Sequence, residues 1–66
     1  MDRQQLFLEL QSIEGRGITI FLEGAVSSPE IVTDTLCVKE DASYMRDYVF
    51  DEGVLKELHF DKVTNI

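Results

Sequence analysis

The 66 residues hold one cysteine, one histidine, one proline and no tryptophan. The single cysteine, Cys37, excludes an intramolecular disulfide and fits a reducing cytosolic compartment. One cysteine and one histidine are too few for a closed structural zinc site of the usual ligand sets. No apolar run approaches the ~20 residues that a membrane-spanning helix requires. Met1-Asp2-Arg3-Gln4-Gln5 lacks the basic region and long apolar stretch of a signal peptide. The expected location is the cytoplasm, without membrane contact. The chain opens on methionine, carries no tag, linker or low-complexity tract, and reads as a complete small open reading frame of bacterial or phage type. Gly15-Arg16-Gly17 is too short to be a phosphate-cradling loop.

Positive charge is the other shortage. Six basic residues face thirteen acidic ones, for a net charge of −7. The excess is concentrated where Glu40, Asp41, Asp47, Asp51 and Glu52 are offset by Arg46 alone. Such a field repels nucleic-acid phosphates and anionic membrane surfaces, so no direct nucleic-acid partner is expected. It suits a basic protein partner. It also serves simply to keep a small protein soluble and monomeric, which is the commoner reason for such a surface.

What the sequence does contain is organised around Ser43–Val63. Two runs rich in aromatic and β-branched residues flank Asp51-Glu52-Gly53, the signature of a β-hairpin. A three-residue loop with Gly53 left-handed is expected, because a two-residue Glu-Gly turn would put Glu52 at positive φ. That loop sets Phe50 opposite Val54, Tyr48 opposite Lys56, Arg46 opposite Leu58 and Tyr44 opposite Phe60, all on an apolar face. The other face carries Val49 with Leu55, Asp47 with Glu57, Met45 with His59 and Ser43 with Asp61.

Upstream, Asp2 is a candidate N-cap, with Gln5 three residues on, for a helix that runs to Glu14 and ends at a left-handed Gly15. Leu6, Phe7, Leu10 and Ile13 form its apolar stripe, and Leu8 points away from it. Ile18, Ile20 and Leu22 alternate with Thr19, Phe21 and Glu23, which predicts a strand over 17–23 whose second face is not wholly wet because of Phe21. Ser28-Pro29 suits a helix start. The β-branched run that follows favours one helical turn and then a strand over Thr33–Lys39. The expected fold is one α+β domain over residues 1–66, with the N-terminal helix packed on a small, mostly antiparallel sheet of three to four strands. The core is then Ile18, Ile20, Leu22, Val32, Leu36, Val38, Leu58 and Phe60. A meander is the simplest strand order, with a small barrel as the runner-up. A domain of this size buries only about 60% of its unfolded surface.

Chemistry has few places to sit. Asp47, Glu57, His59 and Asp61 share the polar hairpin face, and carboxylates with an imidazole suit a divalent cation. A solvated face is the commoner explanation for such a cluster. Cys37 and His59 are the obvious nucleophile–base pair, but Cys37 lies in an apolar run and reads as a small hydrophobe. Asp51 and Glu52 fall in an exposed turn, a poor setting for acid–base chemistry. No cofactor and no catalytic residue are expected. Tyr44, Arg46, Tyr48 and Phe50 are the most interaction-like residues, of the types enriched at binding hot spots. Their competing reading is packing, with Arg46 snorkelling or paired to a helix carboxylate such as Glu9. The expected function is thus a non-enzymatic acidic protein-interaction module, with a basic protein or a second copy of the chain as its partner. The alternatives are a phage-type inhibitor whose acidic surface mimics nucleic acid in a basic groove, and a small protein that binds metal on its carboxylate/His face.

Overall fold

Both helices begin where the sequence supplies a cap. In the computed structural model, which describes residues 2–38 and 43–63, the Asp2 carboxylate accepts hydrogen bonds from the N–H groups of Gln4 (3.0 Å) and Gln5 (3.4 Å). This cap opens α1 (Arg3–Gly15). The helix closes one step later than expected. Arg16 is the C-cap, and the left-handed residue is Gly17 (φ 87°), not Gly15. Of the apolar stripe, Leu6 and Leu10 are buried and Ile13 packs at the margin of the core. Phe7 is half-exposed.

The second helix, α2 (Pro29–Val38), replaces the strand expected over Thr33–Lys39. Lys39 lies outside the described residues. Ser28 caps α2, its hydroxyl accepting from the Ile31 N–H at 3.2 Å. Pro29 occupies the first turn, with the acidic Glu30 beside it, where the helix dipole favours negative charge. Each β-branched residue gives up at most ~0.7 kcal/mol of helix propensity. Fully burying a valine or leucine side chain returns about 1.5–3 kcal/mol. Val32 and Thr33 are fully buried, and Leu36 and Cys37 pack partly against the same core. This spacing is helical, and burial outweighs propensity. Val38, expected in the core, is exposed.

The sheet contains β1 (Thr19–Leu22), β2 (Ala25–Val26), β3 (Ser43–Asp51) and β4 (Val54–Val63). Its order is β2-β1-β4-β3, not a meander. The β1–β2 and β3–β4 pairs are antiparallel hairpins, and the central β1–β4 pair is parallel. The N-terminal helix and mostly antiparallel sheet are thus those expected of an α+β fold, with a second helix added and the strands redistributed.

Both hairpins turn on a Glu-Gly pair. Glu23 and Gly24 have φ of 51° and 83°, and Glu52 and Gly53 have 52° and 80°. Positive φ at both central residues is the two-residue turn whose twist matches that of the flanking strands. The three-residue loop is therefore corrected. The matching of strand twist outweighs the ~1–2 kcal/mol that a left-handed non-glycine residue costs. A register irregularity follows at Val49/Phe50, leaving Lys56 as the extra residue on β4. Beyond it Tyr44 faces Lys62, Arg46 faces Phe60, Asp47 faces His59 and Tyr48 faces Leu58. The pairing has slipped by two residues from the expected one, and an even slip preserves the division of faces. Leu55 and Val54 are the exceptions. The bulge turns Leu55 to the core side, opposite Phe50, and Val54, expected opposite Phe50, pairs with Asp51 instead.

The core of Leu6, Leu10, Ile18, Ile20, Val32, Leu58 and Phe60 lies on one side of the sheet, under both helices. Arg3 pairs with Asp34 between α1 and α2. The described residues span 35 × 29 × 17 Å. The smallest dimension suits one helix layer on one sheet, with none of the described residues forming a layer on the far face.

Candidate functional site

The hairpin residues divide between the two faces of the sheet. On the helix side Arg46 lies over its cross-strand partner Phe60, its guanidinium carbon 5.3 Å from the ring centroid. It donates to both Glu9 carboxylate oxygens, Nη2 to Oε1 at 2.9 Å and Nη1 to Oε2 at 3.1 Å. A longer contact of 3.5 Å reaches the Tyr48 hydroxyl. The hydrogen bond from Arg46, reinforced by its charge, holds the Glu9 carboxyl below the usual carboxylate range despite partial burial. The same bond raises the Arg46 value further. Arg46 is therefore a strap between sheet and α1, which is the packing role weighed against a binding one.

Tyr44 is half-buried, and its hydroxyl has no partner among the described residues. Burial fades toward the hairpin tip. Tyr48 is 44% exposed and Phe50 61% exposed. Of the four aromatic and arginine residues singled out in the sequence, only these two present a substantial contact surface. Because β3 is at the edge of the sheet, its outer hydrogen-bonding groups face no strand of this chain among the described residues.

The far face is organised by a row that crosses all four strands. Val26 on β2 faces Phe21 on β1, Phe21 faces His59 on β4, and His59 faces Asp47 on β3. Directly opposed residues share a face. The Phe21 and His59 rings stack, with centroids 4.3 Å apart and planes 3° from parallel. His59 Nε2 is 2.8 Å from Glu57 Oε1, an ion pair when the imidazole is protonated. Asp61 and Met45 form the next opposed pair, and Glu57 and Val49 the one on the other side of the row.

This register removes the opposition of Asp47 and Glu57 expected from the sequence. Asp47 faces the imidazole instead, and Glu57 faces Val49. Among the described residues, no three His, Cys, Asp or Glu side chains converge as a metal ion requires. Cys37 packs against the core on the helix side, while His59 stands on the far face, so the sheet separates them. Of the acidic patch, Asp47, Asp51 and Glu52 are exposed, and Glu40 and Asp41 lie outside the described residues. Two shallow depressions flank α1, one lined by Asp2, Gln5, Leu6, Glu9 and Arg46 and the other by Arg3, Gln4, Phe7 and Glu30. The first is the surface of the Arg46 strap.

Sequence reasoning missed the Phe21–His59 stack, because it spans two strands whose adjacency is not written in local periodicity. The available signal was Phe21 itself, an aromatic on the otherwise polar side of its strand. No helix among the described residues is long and apolar enough to cross a membrane. No protein-family model matches the chain, and no curated protein or solved structure matches it either.

Proposed function

We propose that this chain is a non-enzymatic protein-interaction module whose contact is built on β3. The observation that carries the reading is the position of this strand. It is nine residues long, forms one edge of the sheet and carries exposed Tyr48 and Phe50 near its end. An uncovered edge of that length is a template for a further strand. Strand addition takes affinity from main-chain hydrogen bonds and specificity from side-chain pockets. Tyrosine and other aromatics bring large contact area at low entropic cost.

The partner is a basic protein segment or a second copy of the chain. The test compares wild type with Tyr48→Ser/Phe50→Ser, in which both apolar contacts are removed and the backbone of β3 is kept. Light scattering reads self-association, and affinity capture from lysate at low and high salt reads other partners. Wild type is expected to dimerise or to retain a defined partner, and the double variant to lose it while keeping its circular dichroism. If both proteins are monomers that capture nothing, or both capture the same partner equally, the edge is not the contact and the reading fails.

A further inference from the structure

We infer that the uncovered sheet face is a docking surface for a cationic, arginine-bearing protein segment. This rests on the reading of the chain as a binding module but concerns a different surface from the β3 edge. Three observations combine. First, both helices pack on one side of the sheet, and the far face carries the Val26–Phe21–His59–Asp47 row with no layer over it among the described residues. Second, that face is substantially apolar. Val26 is 70% exposed and Met45 58% exposed, beside the stacked rings of Phe21 and His59.

Third, the hairpin segregates its charge. Asp47, Glu57 and Asp61 point to the far face, whereas Arg46 and Lys62 lie in the opposite set, facing Phe60 and Tyr44. Lys56 falls at the bulge. The paired positions of the far face therefore carry carboxylates and no lysine or arginine. A guanidinium finds there both an aromatic surface to stack on and carboxylates that accept its paired N–H groups. A second copy is a poor occupant, because face-to-face packing would bring the same three carboxylates against each other. Nucleic acid is repelled for the same reason.

The test is a fluorescence-anisotropy titration of the full chain with a labelled peptide that alternates arginine with threonine. Three variants are compared with wild type. Asp47→Asn/Asp61→Asn removes charge from the face, and Glu14→Gln/Glu30→Gln removes equal charge from the helices. Phe21→Leu keeps apolar bulk and deletes the π surface. Wild type is expected to bind with a salt-dependent affinity. The face variant is expected to lose about tenfold, the helix variant little, and Phe21→Leu roughly two- to fivefold.

Equal losses in the face and helix variants would mean general charge attraction only and overturn the assignment. So would an unaltered affinity in the face variant, absence of binding, or a dimer that the face variant abolishes. The Tyr48→Ser/Phe50→Ser protein separates this inference from the edge reading. If it alone loses a partner that the face variants retain, the edge is the contact and the face is not. If it binds the arginine peptide as wild type does while the face variant fails, the face stands without the edge.

Discussion

Arg46→Met removes the charge that straps the sheet to α1 while keeping most of the stem that packs on Phe60. Its expected effect follows from the geometry. The Arg46 and Glu9 side chains are 31% and 47% exposed, so water screens the pair. A screened pair is worth at most ~1 kcal/mol, and the bidentate arrangement places this one near that limit. The guanidinium over Phe60 adds about 0.5–1 kcal/mol. The variant should therefore lose roughly 1–1.5 kcal/mol, part of the aromatic contact being recovered by the thioether. For a domain of this size that lowers Tm by about 5–10 °C.

A double-mutant cycle with Glu9→Gln, followed by urea denaturation, isolates the pair. Its coupling energy should be about 0.5–1 kcal/mol. The pH dependence has a definite sign. The folded-state value of Glu9 lies below its unfolded one, so the contribution of the pair is complete above the unfolded value and is lost as pH falls through the folded value. The difference between wild type and Arg46→Met should accordingly be largest near neutrality and shrink in acid. A coupling energy indistinguishable from zero, or a difference that does not change between neutral and acidic pH, would refute the strap.

Three further outcomes are expected. Glu23→Asn and Glu52→Asn place a residue tolerant of positive φ at each turn, and each should raise stability by ~0.5–1 kcal/mol in denaturant titration; the Gln variants, which remove the charge alone, should gain less. Thr33 is fully buried and its hydroxyl has no hydrogen-bond partner among the described residues, so Thr33→Val should stabilise by about 1 kcal/mol, seen as a higher Tm. Ser28→Ala removes the cap of α2 and should cost ~0.5–2 kcal/mol, with faster amide hydrogen exchange in the first turn of that helix.

The elements written in local sequence were legible. The Asp2 cap, the Leu6/Leu10 stripe, the alternation over Ile18–Leu22 and the two-strand pattern of the hairpin all agree with the structure. Arg46 meeting Glu9 was legible too, because charge on an apolar strand face requires a partner from the layer above. The Pro29–Val38 segment was not, since its β-branched content and its helical spacing point in opposite directions and only tertiary burial decides between them. Strand order was also hidden. The central parallel pair joins residues nearly forty positions apart, as in Phe21 with His59, and no local period records that. The turns were legible in retrospect. Phe21-Leu22-Glu23-Gly24 and Phe50-Asp51-Glu52-Gly53 repeat one pattern, and a motif that appears twice is better evidence for its turn type than the backbone preference of one glutamate. The bulge after the second turn then moved Leu55 to the core while leaving Asp47, His59 and Asp61 on the face where alternation had put them.

The claim that matters most is that the chain binds through its uncovered face and the edge beside it. An amide chemical-shift map of the isotope-labelled protein, recorded while the arginine–threonine peptide is titrated, tests it residue by residue. The account predicts the largest changes at Phe21, Asp47, His59 and Asp61, with smaller ones along β3 and none at the outward helix positions Leu8 and Ile31. Changes centred on the helices, or spread evenly over every acidic residue, would contradict it.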